Sequence, residues 1–270
     1  LLDDESRLTN GRAHSIWNDH LPEDHAARKK LKPDLESLFQ IELGDAKGDS
    51  SAISLLALPS GSKQNRVKGA LVELSENTQL HGVDQSQPGR LISTCEIDVS
   101  PLYQVLLEEF ADLNIEGAVV SANKVLLMQR GNSLSRVNAI IELDREVVVD
   151  ELLKFRKISS RSLRKTTKIQ LPIINGELLT FTDACMAGDR VYFLAAAEKT
   201  DSTYDDGEFS TAILGTLNQD LTAVESWSEL DVEFKPEGLC YKKKNGKLDF
   251  CFLTDADDST QPSKLFRVRL

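Results

Sequence analysis

Apolar residues recur along this chain in short runs, alternating with polar ones or unbroken, and turn residues separate the runs; both are the marks of β-strands. Four runs share a head: an apolar residue, threonine or proline, then an acid, a small residue and an apolar strand. They are Leu35-Glu36-Ser37-Leu38-Phe39, Ile115-Glu116-Gly117-Ala118-Val119, Thr182-Asp183-Ala184-Cys185-Met186 and Pro236-Glu237-Gly238-Leu239-Cys240. In the last three a turn follows at once and a second strand begins, at Val125-Leu126-Leu127-Met128, Val191-Tyr192-Phe193-Leu194 and Leu248-Asp249-Phe250-Cys251-Phe252. Asn245-Gly246 is the clearest hairpin signal, because both residues tolerate positive φ. The first copy has a looser hairpin before Ile53-Ser54-Leu55-Leu56-Ala57-Leu58.

After the second strand each copy turns polar and re-enters an alternating strand, at 70–74, 139–143, 212–217 and 265–270. Fourth strands are expected at 91–97, 167–171 and around 223–227. Tyr103 to Phe110 and Glu146 to Phe155 have helical spacing and predict short helical insertions between blades or at their lower edge. Hairpin, polar loop and hairpin, repeated at roughly fifty to eighty residues, predict an all-β propeller of four-stranded antiparallel blades. A β-sandwich is the alternative, but it would not need the same acidic head on every unit. The chain reads as one propeller domain over 1–270 with an incomplete first blade. The last copy stops at its third strand, and Leu1-Leu2 with Arg12 to Trp17 are strand-like without an acidic head. Five blades are therefore expected, with six as the alternative.

Antiparallel alternation places the entry to each inner strand at the same end as the loop joining strands two and three. Glu36, Glu116, Asp183 and Glu237 should thus ring one mouth of the channel, surrounded by loops carrying Arg66, Arg130, Glu198 and Asp255. Lys32-Pro33 and Lys235-Pro236 leave Asp34 as an alternative first-blade equivalent. Four converging carboxylates cannot all stay ionised without compensation. A Ca²⁺ or another divalent cation on Glu36, Glu116, Asp183 and Glu237 would supply it. Pairing with Arg66, Arg130 or Lys32 would do so too, as would raised pKa values with ordered water. The acids could equally accept hydrogen bonds from backbone amides of the next blade and so lock blade to blade. The small residue after each acid allows close strand approach near the axis.

Composition narrows the partners. A net charge of -11 and a pI near 5.0 argue against nucleic acid, which demands a basic footprint, and disfavour an anionic membrane surface. No run approaches the roughly 20 apolar residues of a membrane span. A monomer is expected. No signal-peptide pattern is visible, and cytoplasmic and extracytoplasmic settings both stay open. Cys95, Cys185, Cys240 and Cys251 lack CxxC spacing and read as core residues. His14, His20, His25 and His81 form no triad with the repeat, and the acidic run Thr203 to Glu208 fits no EF-hand.

The Glu-Gly heads at Ile115-Glu116-Gly117 and Pro236-Glu237-Gly238 resemble those of bacterial propellers related to the phytase-like and senescence-marker-type hydrolases. Together with Lys32-Pro33-Asp34-Leu35-Glu36 and Gln129-Arg130-Gly131-Asn132, they make the chain most similar to an uncharacterised bacterial β-propeller family. In the hydrolase groups the channel carboxylates bind Ca²⁺ or another divalent metal. This chain departs from their Asn and Asp ligand set, and carries Thr182-Asp183-Ala184 in one blade. The expected function is binding of a cation, a small polar ligand or a protein partner at an acidic mouth. The alternative is a metal-dependent hydrolase of an ester, lactone or phosphate.

Overall fold

The computed structural model describes residues 16, 22–24, 27–28, 31–44, 52–75, 91–131, 136–199, 208–256 and 260–269. The first sheet joins β1 (Leu35–Gln40), β2 (Ala52–Pro59), β3 (Lys68–Ser75) and β4 (Leu91–Asp98) in sequence order. The second joins β5 (Ile115–Ser121), β6 (Lys124–Gln129), β7 (Asn138–Asp144) and β8 (Leu163–Ile169) in the same way. A two-stranded hairpin, β9 (Ile173–Ile174) and β10 (Glu177–Leu178), precedes the third sheet. That sheet contains β11 (Thr180–Ala187), β12 (Arg190–Lys199), β13 (Glu208–Leu217) and β14 (Val224–Leu230). The last contains β15 (Lys235–Lys244), β16 (Lys247–Asp255) and β17 (Leu265–Arg269). Every named pair is antiparallel.

These sheets are the blades of a propeller-like, all-β fold. Among the described residues there are four blades, not the five or six expected, and the fourth has three strands. The expectation of a fifth rested on Leu1, Leu2 and Arg12 to Trp17, which lie outside the described residues apart from Ile16. The inner strands are neighbours in the order β1, β5, β11, β15. Blades pack face to face, so both faces of β6 and of most of β5 are buried and their sequences read as nearly unbroken apolar runs, whereas β1 leaves Leu38 exposed. In β6, Val125 and Leu127 enter the core between the first two blades, whereas Leu126 and Met128 enter the core between the second and third. In β12, Phe193 and Ala195 face the second blade, and Tyr192 and Leu194 pack with Phe250 and Phe252 of the fourth.

Helix α1 (Ser100–Glu109) links the first two blades, starts with proline in its first turn and buries Leu102, Tyr103 and Leu106. The Tyr103 hydroxyl donates to the Pro59 carbonyl at 2.7 Å, tying the helix to β2. Helix α2 (Arg145–Phe155) is the second expected insertion, and it does not lie between blades. It lies inside the second blade, between its third and fourth strands. Asp144 caps its N-terminus by accepting from the Val147 amide, and Arg156 ends it in the left-handed region at φ 51°. The β9–β10 hairpin turns on Asn175 (φ 53°) and Gly176 (φ 84°), the same signal as Asn245-Gly246.

Candidate functional site

The inner strand of every blade carries one irregularity at the same height. Pairing shifts between Leu35 and Ser37, between Ile115 and Gly117, between Phe181 and Asp183, and between Pro236 and Gly238. Each shift is a β-bulge, an extra residue that breaks the ladder and re-aims a side chain. The extra residues are Glu36, Glu116, Thr182 and Glu237. Structure therefore settles that Glu36, not Asp34, is the first-blade equivalent, and it corrects the third blade. Thr182 occupies the acid position there, and Asp183 sits one place on, at the level of Ser37, Gly117 and Gly238. Residue type aligned the third copy one place out of register.

Two residues before each bulge stand Asp34, Asn114, Thr180 and Lys235, and these polar groups hold most of the acids. Asp34 is buried and left-handed at φ 60°, a conformation uncommon outside glycine that the surroundings must hold in place. Its carboxylate accepts from the Ser60 hydroxyl at 2.9 Å and pairs with Arg66 at 2.5 Å and Lys32 at 2.9 Å. Burial pushes Asp34 up, but Lys32, Arg66 and Ser60 outweigh it and hold the carboxyl below its ordinary value. Burial alone would lower Lys32; the Asp34 carboxylate raises it instead.

Glu116, also buried, pairs with Arg130 at 3.2 Å and accepts from the Asn114 amide at 2.5 Å. Burial nevertheless raises its pKa against the pull of Arg130 and Lys235. Glu237 pairs with the buried Lys235 at 2.9 Å. Glu36 is different. No cation pairs with it among the described residues, and burial together with Glu116, Asp34 and Glu237 pushes it up to about 9, with only Lys32 opposing.

Asp183 serves the blade junction. Its carboxylate accepts from the Leu239 amide of the next blade at 2.6 Å and from its own Ala184 amide at 2.7 Å. Burial raises it to about 8 despite those two amides, and the charges of Glu116 and Glu237 add to the rise, so Asp183 also lies within reach of the mouth acids. The other junctions are latched at the same height. The Ile115 amide donates to the Ser60 carbonyl at 2.8 Å, and Asn138 bridges the Leu179 carbonyl and the Phe181 amide at 3.0 and 3.2 Å. Gly117 lets the second and third blades approach closely. A Cβ there would lie 3.0 Å from the Ala184 nitrogen and 3.1 Å from the Asp183 Cα.

Glu198 and Asp255 lie at the ends of β12 and β16 rather than in loops. Asp255 stands opposite Lys235 in the ladder, and the Glu198 side chain lies outside the described residues. So do all four histidines and most of the acidic run Thr203 to Glu208. Among the described residues no three His, Cys, Asp or Glu side chains are grouped to hold a metal ion. Three mouth carboxylates already carry cations of the chain itself, an arrangement that does not fit a preformed Ca²⁺ cage. Sequence reasoning did not assign Asn114 or Ser60, whose only signal is their place before a bulge and after a second strand. Two buried hydroxyls at the bulges, Ser37 Oγ and Thr182 Oγ1, have no hydrogen-bond partner among the described residues.

A model described as "Family of unknown function (DUF6929)" matches residues 3–270. The chain belongs to that family. DUF6929 carries no activity with it, and the bulged, acid-bearing inner strands are the chemistry this member presents. No curated protein matches the chain. Among solved structures it is similar to Kuenenia stuttgartiensis hydrazine synthase, at 9% identity and a TM-score of 0.30. That likeness covers 85% of this chain and 58% of the other, so the chain spans little over half the length of that relative. Among the described residues no helix is long and apolar enough to cross a membrane.

Proposed function

We propose that the channel mouth binds a small polar ligand through a positively charged group received by Glu36. The observation that supports this is an asymmetry of pairing. Asp34, Glu116 and Glu237 each have a cation of the chain within 2.5 to 3.2 Å, and among the described residues Glu36 has none. Their negative charges surround it, so a cation arriving at Glu36 gains attraction that the resident lysines and arginines have not already taken up. The unpartnered hydroxyls of Ser37 and Thr182 offer hydrogen bonds to the polar remainder of the ligand. A neutral carboxylic acid at Glu36 must ionise to receive the charge, so binding near neutral pH releases up to about one proton.

The test uses ethylammonium chloride and calcium chloride as probes at pH 7.5, with thermal shift and proton release in weak buffer. Stabilisation by ethylammonium with proton release, both lost in Glu36→Gln, supports the reading. Stabilisation by calcium alone would replace it with the metal-site reading and bring hydrolysis of an ester, lactone or phosphate forward. No response to either probe overturns it.

A further inference from the structure

Two of the four cysteines face each other across the fourth blade. Cys240 on β15 and Cys251 on β16 are direct partners in the antiparallel ladder, and the pairing on either side of them is regular. Directly opposed residues of such a ladder have Cα atoms about 4.5–5.5 Å apart and side chains on one face. A disulfide needs Cα atoms about 4.4–6.8 Å apart. Both thiols are free, and they lie within hydrogen-bonding reach of each other. Cys240 is exposed and Cys251 is buried, an arrangement of one thiol open to attack and one held behind it.

We propose that Cys240 and Cys251 form a redox modification site that reacts with a low-molecular-weight disulfide and closes into a cross-strand bond. The Cys240 thiolate attacks one sulfur of the reagent, giving a mixed disulfide and one released thiolate. Cys251 then loses its proton to solvent and attacks the Cys240 sulfur, expelling the second thiolate. The net exchange is two protein thiols and one reagent disulfide for one protein disulfide and two reagent thiols.

Surroundings favour this pair over others. Arg267 of β17 stands opposite Cys251 and is exposed, so it attracts an anionic reagent such as oxidised glutathione. Cys185 on β11 is near enough for Cys240 to act on it, and burial and nearby charge push both thiols up, so the preference rests on exposure and register: Cys240 is the exposed one of the two, and it stands directly opposite Cys251 in the ladder. The bond would staple the blade that has three strands among the described residues.

The folded protein is incubated with oxidised glutathione, then analysed by intact mass and peptide mapping under non-reducing conditions. A loss of two hydrogens and a linked peptide pair containing Cys240 and Cys251 are expected, with a raised thermal midpoint that reductant reverses. Cys251→Ser should instead stop at a stable glutathione adduct on Cys240, and Cys95→Ser should behave as the parent. A link between Cys185 and Cys240, a persistent adduct in the parent, or no reaction at all overturns the proposal.

Discussion

Replacing Glu36 by glutamine should make the protein more stable, and increasingly so as pH rises. An unfolded glutamate titrates near pH 4.3. In the folded mouth, burial and the charges of Glu116, Asp34 and Glu237 push Glu36 up to about 9. A raised folded pKa favours the proton-bound native state. Its contribution is fully present below about pH 4.3 and is lost as pH rises towards 9. Each pH unit inside that window removes about 1.4 kcal/mol. Glutamine mimics the neutral acid and removes this slope. Between pH 5.5 and 8.5 the gap between Glu36→Gln and the parent should therefore widen by up to about 4 kcal/mol. Asp183 titrates in the same range, but it is present in both proteins and drops out of the difference. Urea unfolding at half-unit pH steps reads the gap directly. A gap that stays flat, or a variant less stable than the parent at pH 8, refutes the claim that Glu36 is a partly buried acid crowded by like charges.

Three further substitutions test how the blades are held. Gly117→Ala places a Cβ 3.0–3.2 Å from the Ala184 and Asp183 backbone, which cannot swing aside, and should destabilise by about 1–3 kcal/mol. Gly238→Ala, at the same level in the fourth blade and with nothing within 4 Å, should stay within about 0.5 kcal/mol of the parent in urea unfolding. Equal costs for the two would refute close approach as the reason for Gly117. Tyr103→Phe leaves the buried Pro59 carbonyl without its 2.7 Å donor and should lower stability by about 1–2 kcal/mol at unchanged far-UV circular dichroism.

Most of the architecture was legible because each blade is a local object. Hydrophobic runs, Asn-Gly turns and polar gaps act over a few residues, so strands, order and both helices follow from short-range pattern. Blade count is not local. It depends on how many sheets fit around an axis, which no short-range pattern encodes. The place of α2 inside a blade was likewise hidden, since helical spacing says nothing about which strands a helix connects. The β9–β10 hairpin carried a readable Asn175-Gly176 signal, but its flanking strands are two residues each and fall below any periodicity.

The acidic ring shows where reading by residue type breaks down. Thr182-Asp183 resembles the other heads in composition, so the acid was matched to the acids. Yet what repeats physically is the bulge, and the bulge selects Thr182. One residue of slip sends a side chain to a different surface of a strand, and the chemistry follows. Asp183 consequently meets backbone amides and joins blades, while the true ring position in that blade carries a hydroxyl instead of a charge. The bulge positions thus hold three acids and one hydroxyl, and Asp183, one residue on, still lies close enough to Glu116 and Glu237 to feel their charges. Two of the acids are paired with cations, and the third is left with like charges around it. A symmetric cage would have suited a metal ion with several carboxylate ligands. Among the acids at the bulges this unequal ring leaves Glu36 without a cation, while Asp183 beside them is held by two backbone amides, so Glu36 is the carboxylate most open to an arriving charge.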